Sequence, residues 1–505
     1  MLSAIPKRWW ALLSVMMAFL PIVLDMTILH VAIPSLTLAL EASGTGVLWI
    51  IDIYPLVMAS LLIPMGTLSD RIGHRRMLIT GLCIFTLGSV LAAFSPSVGV
   101  LIATRALMAI GAAMVMPCTL AIIRQTFEDD GERALALGIW GTTASAGAAI
   151  GPLAGGALLE HFWWGAVFLV NVPVMLVVMP LVLAYCPRRV IVSDAHWTIG
   201  QAVVLMAGIM ASVYALKSGF KPGSSPYVTA TALLVGLSLL AWFVHKQLHS
   251  PRPMLDLGLF SVPAISAGVA ISLVVMGALA GVELMLAQEL QFVLGRTPLE
   301  AGFFLLPLML AAAVAGPLAG AILRRLGLRM VASLSLLVSA ASLAALAVTH
   351  LDAGGAWPVV ILVVLGLALS IGLTASSVAI MSHTPVDKAG SAGALEATSY
   401  DLGTGLGITA FGLLLTTSYQ RSFRAPDGLP AQVSDVAGHS IGETMITARA
   451  LDTNAARELV LAGQHAFGAS HSVVLLSAAA LVGLMSLVVW LILSRPVATV
   501  VQPAP

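Results

Sequence analysis

Fourteen apolar runs, each about 20 residues or longer, divide this chain of 505 residues. Because a helix needs about 20 residues to cross the hydrocarbon core of a bilayer, each run is long enough to span a membrane. None shows the alternating polarity of the strands in a membrane β-barrel. The sequence therefore predicts an all-α integral membrane protein, with spans at about 9–33, 46–66, 77–95, 98–123, 134–159, 165–186, 196–217, 226–248, 262–292, 301–323, 328–349, 357–381, 389–416 and 471–494.

Only 9% of the residues are charged, whereas 59% are hydrophobic. A soluble globular protein carries about 25% charged residues, so this composition excludes a water-soluble globular protein. The 24 Lys and Arg residues nearly balance the 23 Asp and Glu residues, which gives no basic surface for nucleic acid. The three cysteines, Cys83, Cys118 and Cys186, lie in or beside apolar runs without a metal-binding spacing. We therefore expect no cofactor, no metal and no nucleic-acid partner.

The distribution of Lys and Arg predicts the orientation, because short cytoplasmic loops carry an excess of both residues. With the N-terminus inside, sixteen lie on the cytoplasmic side: Lys7, Arg8, Arg71, Arg75, Arg76, Arg124, Arg133, Arg188, Arg189, Lys246, Arg252, Arg324, Arg325, Arg329, Lys388 and Arg495. Seven lie outside: Lys217, Lys221, Arg296, Arg421, Arg424, Arg449 and Arg457. We therefore expect both termini in the cytoplasm. The first apolar run is too long for the core of a cleavable signal peptide, so we expect it to be a membrane span.

The chain contains an internal repeat. Gly66, Arg71, Gly73 and Arg75 recur 254 residues later as Gly320, Arg325, Gly327 and Arg329. Gly147, Gly151 and Gly156 recur 256 residues later as Gly403, Gly407 and Gly412. The nearly equal offsets predict two halves of six spans, at 1–190 and 259–505, with two further spans inserted at 191–258. The polar segment 417–470 is expected outside the membrane, either as short helices or as a loosely ordered connection. Parallel six-span halves are the plan of the major facilitator fold, in which the substrate lies between them.

Two motifs resemble those of the major facilitator superfamily. The run from Gly66 to Arg76 is similar to the family's cytoplasmic loop motif; it includes Gly66, Asp70, Arg71, Gly73 and Arg75. The resemblance implies a charge network that breaks when the halves rock, whereas the same residues could also be a simple positive-inside anchor. The run from Gly147 to Gly156 resembles the fifth-span motif of drug/proton antiporters; it includes Gly147, Gly151, Pro152, Gly155 and Gly156.

Further motifs resemble the fourteen-span drug:H⁺ antiporter family within that superfamily. The segment 24–34 is similar to its first-span motif, which usually has Asn where His30 stands, and the segment around Arg105 is similar to its fourth-span motif. His30 is either a second titratable group or an ordinary helix-end histidine. The segments 49–54 and 396–403 look most like those of exporters of quaternary ammonium compounds and methyl viologen.

Acidic residues outnumber basic ones inside the predicted spans. Asp25, Asp52, Glu283, Glu289, Glu396 and Asp401 face a single Arg105 and no lysine. Carboxylates in a membrane are costly unless they are paired, hydrated or protonated. A buried carboxyl group can hold a proton until a cationic drug arrives, and this competition would make an antiporter.

We predict two roles for these intramembrane acidic residues. Asp25, Glu396 and Asp401 are predicted to couple protons, and Asp52 and Glu283 to shape a cationic pocket. Trp49, Tyr54 and Tyr400 are predicted to assist by cation–π attraction of about 0.5–2 kcal/mol. Glu289 is expected near the outer surface, as a solvated helix end.

We therefore predict a proton-coupled exporter of lipophilic and quaternary ammonium cations, active as a monomer in the bacterial inner membrane. A transporter of a dedicated cationic metabolite such as a polyamine is the alternative that fits the acidic surplus. An intramembrane enzyme would need a nucleophile–base pair or metal ligands, and no such motif is present. A sensor or scaffold on the same fold would not need the acidic residues. No Gly-x-x-x-x-Gly-Lys-[Ser/Thr] motif for ATP occurs.

Overall fold

A computed structural model describes residues 6–187, 199–220, 224–251, 253–349, 351, 355–384 and 388–494. Five of the basic residues used to predict the orientation, Arg188, Arg189, Lys221, Arg252 and Arg495, lie outside these described residues. Within the described ranges the chain forms seventeen α-helices: α1 (Lys7–Leu40), α2 (Gly44–Ile72), α3 (His74–Ala93), α4 (Val98–Thr126), α5 (Asp130–His161), α6 (Ala166–Leu169), α7 (Asn171–Tyr185), α8 (Ile199–Gly219), α9 (Pro226–His249), α10 (Pro263–Gln288), α11 (Pro298–Leu326), α12 (Leu328–Ala347), α13 (Trp357–Met381), α14 (Ala389–Ser422), α15 (Ala431–Ala437), α16 (Ile441–Ala448) and α17 (Thr453–Ile492).

Fourteen helical segments are long and apolar enough to cross a membrane, which confirms the predicted number of spans. They are α1 to α5, α6 with α7, α8 to α14, and α17. The sixth is interrupted, because α6 ends at Leu169 and α7 begins at Asn171 with Pro173 in its first turn, where a missing N–H costs no helical hydrogen bond. The chain is a multi-pass membrane protein.

The helix that contains the last span begins earlier than the predicted span, at Thr453 instead of about residue 471. Asp452 caps this helix by accepting hydrogen bonds from the backbone N–H groups of Asn454 and Ala455. Leu459, Gly463 and Phe467 are buried along one face, so the polar residues of this stretch lie on the other faces of a continuous helix. The sequence prediction, which was based on overall polarity, did not detect this amphipathic extension of the helix. The rest of segment 417–470 contains the end of α14 and the short helices α15 and α16.

The packing of the helices repeats as the sequence predicts. The pairs α1/α5, α2/α4 and α3/α4 pack together in the first group of helices, and α10/α14, α11/α13 and α12/α13 do so in the second. The two groups meet through α2/α14 and α5/α11. Gly73 and Gly327, which are 254 residues apart, both have positive φ, at 95° and 78°, so the same tight turn occurs in each group. The inserted helices α8 and α9 pack against each other, and α8 also packs on α2.

Candidate functional site

A cavity of about 320 Å³ lies between the two groups of helices. Its wall is formed by α1, α2, α4 and α5 from the first group and by α10, α11 and α14 from the second. Aromatic and methionine side chains make up much of the wall: Phe19, Tyr54, Trp140, Tyr400, Met26, Met58, Met116, Met276 and Met309. Phe19 and Trp140 stack with ring centroids 4.6 Å apart. Such a wall suits a lipophilic molecule, since methionine side chains adapt to irregular shapes.

The buried ion pair of Asp25 and Arg105 lies beside this cavity. The guanidinium of Arg105 on α4 donates to the carboxylate of Asp25 on α1, and both side chains are buried. Arg105 also donates to the carbonyl oxygen of Ile50 at 3.3 Å, and its guanidinium carbon lies 4.6 Å from the centre of the Tyr54 ring. Arg105 lines the cavity, whereas Asp25 lies behind it. Asp25 is therefore neutralised in this conformation.

Asp401 on α14 differs from the other intramembrane carboxylates. It is buried, it lines the cavity, and its Oδ2 atom has no hydrogen-bond partner in the described residues. Its neighbour Tyr400 also lines the cavity and donates a hydrogen bond to Glu396 Oε1 at 2.7 Å. Glu396 is one turn away and is not part of the cavity wall. Within the described residues, Asp401 is thus the intramembrane carboxylate with neither a hydrogen bond nor an ion pair, whereas each of the others has a partner.

His30 and Glu283 lie next to each other in the cavity wall. The Nε2 atom of His30 on α1 lies 3.8 Å from Glu283 Oε2 on α10, and both side chains are buried. Both residues line the cavity. His30 is therefore not an isolated helix-end histidine, but part of a pair that joins the two groups of helices.

Asp52 has a basic partner that the sequence analysis did not predict. Lys217, expected in an outer loop, lies in the last turn of α8 with its Nζ atom 2.6 Å from Asp52 Oδ2. The same ammonium lies 3.9 Å from the centre of the Trp49 ring. The prediction that no lysine occurs within a span is wrong. Lys217 continues the buried positions Leu205, Ile209 and Val213 at four-residue intervals, and this spacing is the signal that places it on the buried face.

Glu289 is also paired, so the expected solvated helix end is wrong. It begins a single π-turn at Glu289–Val293, directly after α10. His471 on α17 lies between two acceptors, with Nδ1 2.5 Å from Glu289 Oε2 and Nε2 3.1 Å from the carbonyl oxygen of Leu346. The extension of α17, which the sequence reading did not predict, leads into the turn that contains His471.

We call the end of the bundle that contains Glu41, between α1 and α2, the distal end. In the described ranges, the side-chain hydrogen bonds between the two groups of helices lie in this half. Three of them are Gly44 N to Glu443 Oε2 at 3.3 Å, Gln291 Nε2 to Val31 O at 2.9 Å, and Thr297 Oγ1 to Glu160 Oε1 at 2.9 Å. The opposite end of the bundle contains Lys7, where α1 begins.

Comparison with known proteins identifies the family. The model described as Major Facilitator Superfamily matches residues 15–408. The chain belongs to the Major Facilitator Superfamily. The methyl viologen resistance protein SmvA of Salmonella typhimurium is 45% identical over 491 residues, which cover 97% of this chain and 99% of that protein. The multidrug efflux pump LfrA of Mycolicibacterium smegmatis is 34% identical, over 95% of this chain and 96% of the relative.

Solved structures show the same fold. A bacterial homologue of the human lysosomal transporter Spinster, in an inward-facing and unoccupied conformation, matches with a TM-score of 0.67 and 18% identity over 96% of this chain and 98% of that one. The peptide transporter POT in complex with sulfate matches with a TM-score of 0.64 and 15% identity over 97% and 99%. At these identities the likeness concerns the fold alone. The protein has the major facilitator fold with fourteen membrane helices arranged 6+2+6 and two repeated six-helix halves.

The loop motif of this superfamily member joins α2 and α3. Gly73 makes the tight turn between the helices, and Arg75 donates to the carbonyl oxygen of Leu183 at 2.5 Å. Among the described residues, Asp70 pairs with His74 at 3.6 Å and not with Arg71, Arg75 or another arginine. The predicted network of Asp70 with arginines is therefore not formed in this conformation. A Cβ atom on Gly66 would lie 3.6 Å from Pro117 Cβ, which is an ordinary contact distance.

The glycines of the fifth-span motif lie where two helices touch. A Cβ atom on Gly151 would lie 2.0 Å from Thr27 Oγ1, and one on Gly155 would lie 2.6 Å from Ile28 Cγ1. Gly147 also faces α1, whereas Gly156 faces α11, where a Cβ atom would lie 2.5 Å from Leu299 Cα. Pro152 approaches α11 as well, because its carbonyl oxygen would lie 2.7 Å from a Cβ atom on Gly302. The motif thus connects the cavity helix α1 to the other half of the protein.

Proposed function

We propose that the protein is a proton-coupled exporter of lipophilic and quaternary ammonium cations. The observation that carries this proposal is the unpartnered carboxylate of Asp401 in a wall of aromatic and methionine side chains. A carboxylate attracts a cation, and an apolar wall favours a cation whose charge is surrounded by hydrocarbon or aromatic groups. The similarity to a methyl viologen resistance protein and to a multidrug efflux pump supports the same class of substrate.

The mechanism follows from competition for one carboxylate. With the two groups of helices joined by hydrogen bonds at the distal end, Asp401 would meet a cation that enters from the end containing Lys7. The carboxylate binds this cation only after it has released its proton, because the two positive charges exclude each other. When the halves rock and the distal end opens, a proton displaces the cation. The rings of Tyr54 and Tyr400 lie in the same wall and stabilise the bound cation through their faces.

The other intramembrane carboxylates have supporting roles in this proposal. Glu283 contributes a second negative group in the cavity wall, adjusted by His30 at 3.8 Å. Asp25 carries a proton only in a state in which Arg105 has moved away, since the pair is closed in this one. Glu396 receives the hydrogen bond of Tyr400, so it positions that ring and can exchange a proton through it. Asp52 and Trp49 lie with Lys217 and are further from the ligand.

We also propose an orientation and a division of the chain. The excess of Lys and Arg at the end that contains Lys7 supports a cytoplasmic location for both termini and for the entrance of the cavity. Residues 1–190 and 259–505 would move as two halves, with 191–258 as the inserted pair of helices. The proposed working unit is a monomer in the inner membrane, which carries out transport and not catalysis.

The test measures the efflux of methyl viologen and ethidium by the purified protein, reconstituted in proteoliposomes with an imposed pH gradient. We expect efflux that stops when an uncoupler removes the gradient, and proton movement in the opposite direction that depends on substrate. Absence of both, in liposomes with correctly folded protein, would contradict the proposal. Spermidine in place of the aromatic cations tests the alternative of a polyamine transporter, which the apolar wall disfavours because several buried charges are costly unless each is paired.

A further inference from the structure

The contact between α2 and α14 contains a polar group at its centre. On one side of this group, a Cβ atom on Gly412 would lie 2.1 Å from a methyl group of Leu48; on the other, a Cβ atom on Gly405 would lie 2.6 Å from a methyl group of Leu56. Between these two close contacts, Thr409 Oγ1 donates a hydrogen bond to Asp52 Oδ2 at 2.6 Å. The two helices therefore touch once per turn over three turns. Asp52 accepts the hydrogen bond in the middle one.

The inserted helix α8 covers this contact and supplies its charge. Lys217 Nζ lies 2.6 Å from the same Asp52 Oδ2 atom, and the lysine side chain is only 2% exposed. The face of Trp49 covers the ammonium at 3.9 Å. α8 packs against both α2 and α14. An element outside the two halves thus reaches the residue that joins them.

The contact between the two halves that the internal repeat relates to this one shows that the fold does not require this charge. There α5 meets α11, with Pro152 close to Gly302 and Gly156 close to Leu299. The repeat offset of 254 residues places Leu306 where Asp52 stands, and the offset of 256 residues places Leu153 where Thr409 stands. Leucines therefore stand at both equivalent positions, where no side-chain hydrogen bond can form. Of these two contacts, as far as the structure describes the chain, the one that α8 covers contains a buried carboxylate with a hydrogen bond and an ion pair.

We propose that Lys217 is a positioning residue through which the inserted pair α8–α9 holds the α2/α14 contact closed. In this role Asp52 binds neither drug nor proton during transport; it is a structural acceptor for Lys217 and Thr409. The inference rests on the proposed alternating-access transport, because opening of the distal end must separate α2 from α14. Separation breaks the bond of Thr409 to Asp52, while Lys217 compensates the carboxylate in both states.

The physical basis is the cost of a buried charge without a partner. Removal of Lys217 would leave the buried Asp52 carboxylate without its counter-ion, which is much worse than removal of both charges. Such a carboxylate recruits water or a proton and separates the helices that surround it. Loss of the carboxylate as well removes the cause, so the double change should restore the contact.

The experiment compares Lys217→Met, Asp52→Asn/Lys217→Met and Lys246→Met with the unchanged protein. Lys246 is a matched control, because it lies on α9 of the same inserted pair, 5.6 Å from the Trp242 ring, but is exposed. Closure of the distal end is measured by disulfide formation between Gly44→Cys and Ser440→Cys, with Cys83, Cys118 and Cys186 replaced by serine. A Cβ atom on Gly44 would lie 3.3 Å from Ser440 Cβ, near the separation of about 3.5–4.5 Å in a disulfide.

We expect Lys217→Met to slow cross-linking and ethidium efflux roughly tenfold, the double variant to recover both to within about threefold, and Lys246→Met to match the unchanged protein. The inference is overturned if Lys217→Met cross-links as fast as Lys246→Met, or if the double variant cross-links normally but does not transport, since Asp52 would then act on drug or proton. If the unchanged protein transports no cation but the cross-linking pattern holds, the proposed function fails while the role of Lys217 stands.

Discussion

Arg105 on α4, which lines the cavity, and Asp25 on α1, which lies behind it, form a buried ion pair. Asp401, in the same cavity, has no basic partner among the described residues. One carboxylate is therefore neutralised by the protein itself, whereas the other depends on a proton, water or a ligand. This difference separates two acidic residues that the sequence places in the same class.

Asp401→Asn is expected to abolish proton-coupled efflux while the protein remains folded. The amide has nearly the shape of the carboxylate but neither binds a proton at neutral pH nor attracts a cation. We expect uncoupler-sensitive ethidium efflux to fall more than tenfold, with an unchanged melting temperature in detergent. Asp435→Asn, a change of an exposed aspartate on α15, is the control and should transport normally. Efflux that persists with a normal proton flux in Asp401→Asn would move the coupling to another carboxylate.

Asp25→Asn is expected to affect stability as well as transport. The change leaves the buried guanidinium of Arg105 without its counter-ion, and loss of one partner of a buried pair costs about 3–5 kcal/mol. We expect a clearly lower melting temperature and a lower yield of monodisperse protein. Asp25→Asn/Arg105→Gln removes both charges and should recover much of the stability. Normal stability of the single variant would show that the pair contributes little to folding and would favour a role of Asp25 in proton transfer alone.

Glycine positions on α5 provide a test of close helix packing with an internal control. Gly151→Ala places a Cβ atom 2.0 Å from Thr27 Oγ1, whereas Gly138→Ala on the same helix has open space around it. Overpacking of this kind costs about 1–3 kcal/mol, so Gly151→Ala should lose stability and efflux. Gly138→Ala should be neutral or slightly stabilising, because alanine favours helix. Equal melting temperatures and transport rates for both variants would mean that α1 and α5 separate without cost.

The number of spans, the repeat and the family follow from the sequence, because they depend on local hydrophobicity and on motif spacing. The partners of the acidic residues do not. Lys217 lies at the very end of an apolar run, and a polar residue there is equally compatible with a loop; only packing of α8 on α2 brings it to Asp52. His471 meets Glu289 across 182 residues, a contact that no local pattern contains. The tertiary structure therefore decided which intramembrane carboxylates are already paired.

His30 and Glu283 provide the last prediction, which concerns affinity for the substrate. Their side chains lie 3.8 Å apart in the cavity wall, on α1 and α10. If His30 adjusts the negative charge that Glu283 offers to a cation, the effects of His30→Asn and Glu283→Gln on the KM for methyl viologen must depend on each other. Residues in contact show interaction energies of about 0.5–3 kcal/mol, so the double variant should differ from the sum of the single ones by at least about twofold in KM.

The measurement is a double-mutant cycle of initial efflux rates in proteoliposomes, with His465→Asn as the control because His465 is exposed on α17. His30→Asn keeps a side chain of polar character but removes the ring, so a simple loss of folding is not expected. Additive effects of the two changes would show that the histidine and the carboxylate act separately, and His30 would then be a packing residue of α1. Coupled effects in KM, with the maximal rate unchanged, would place the pair in binding of the cation and not in proton transfer.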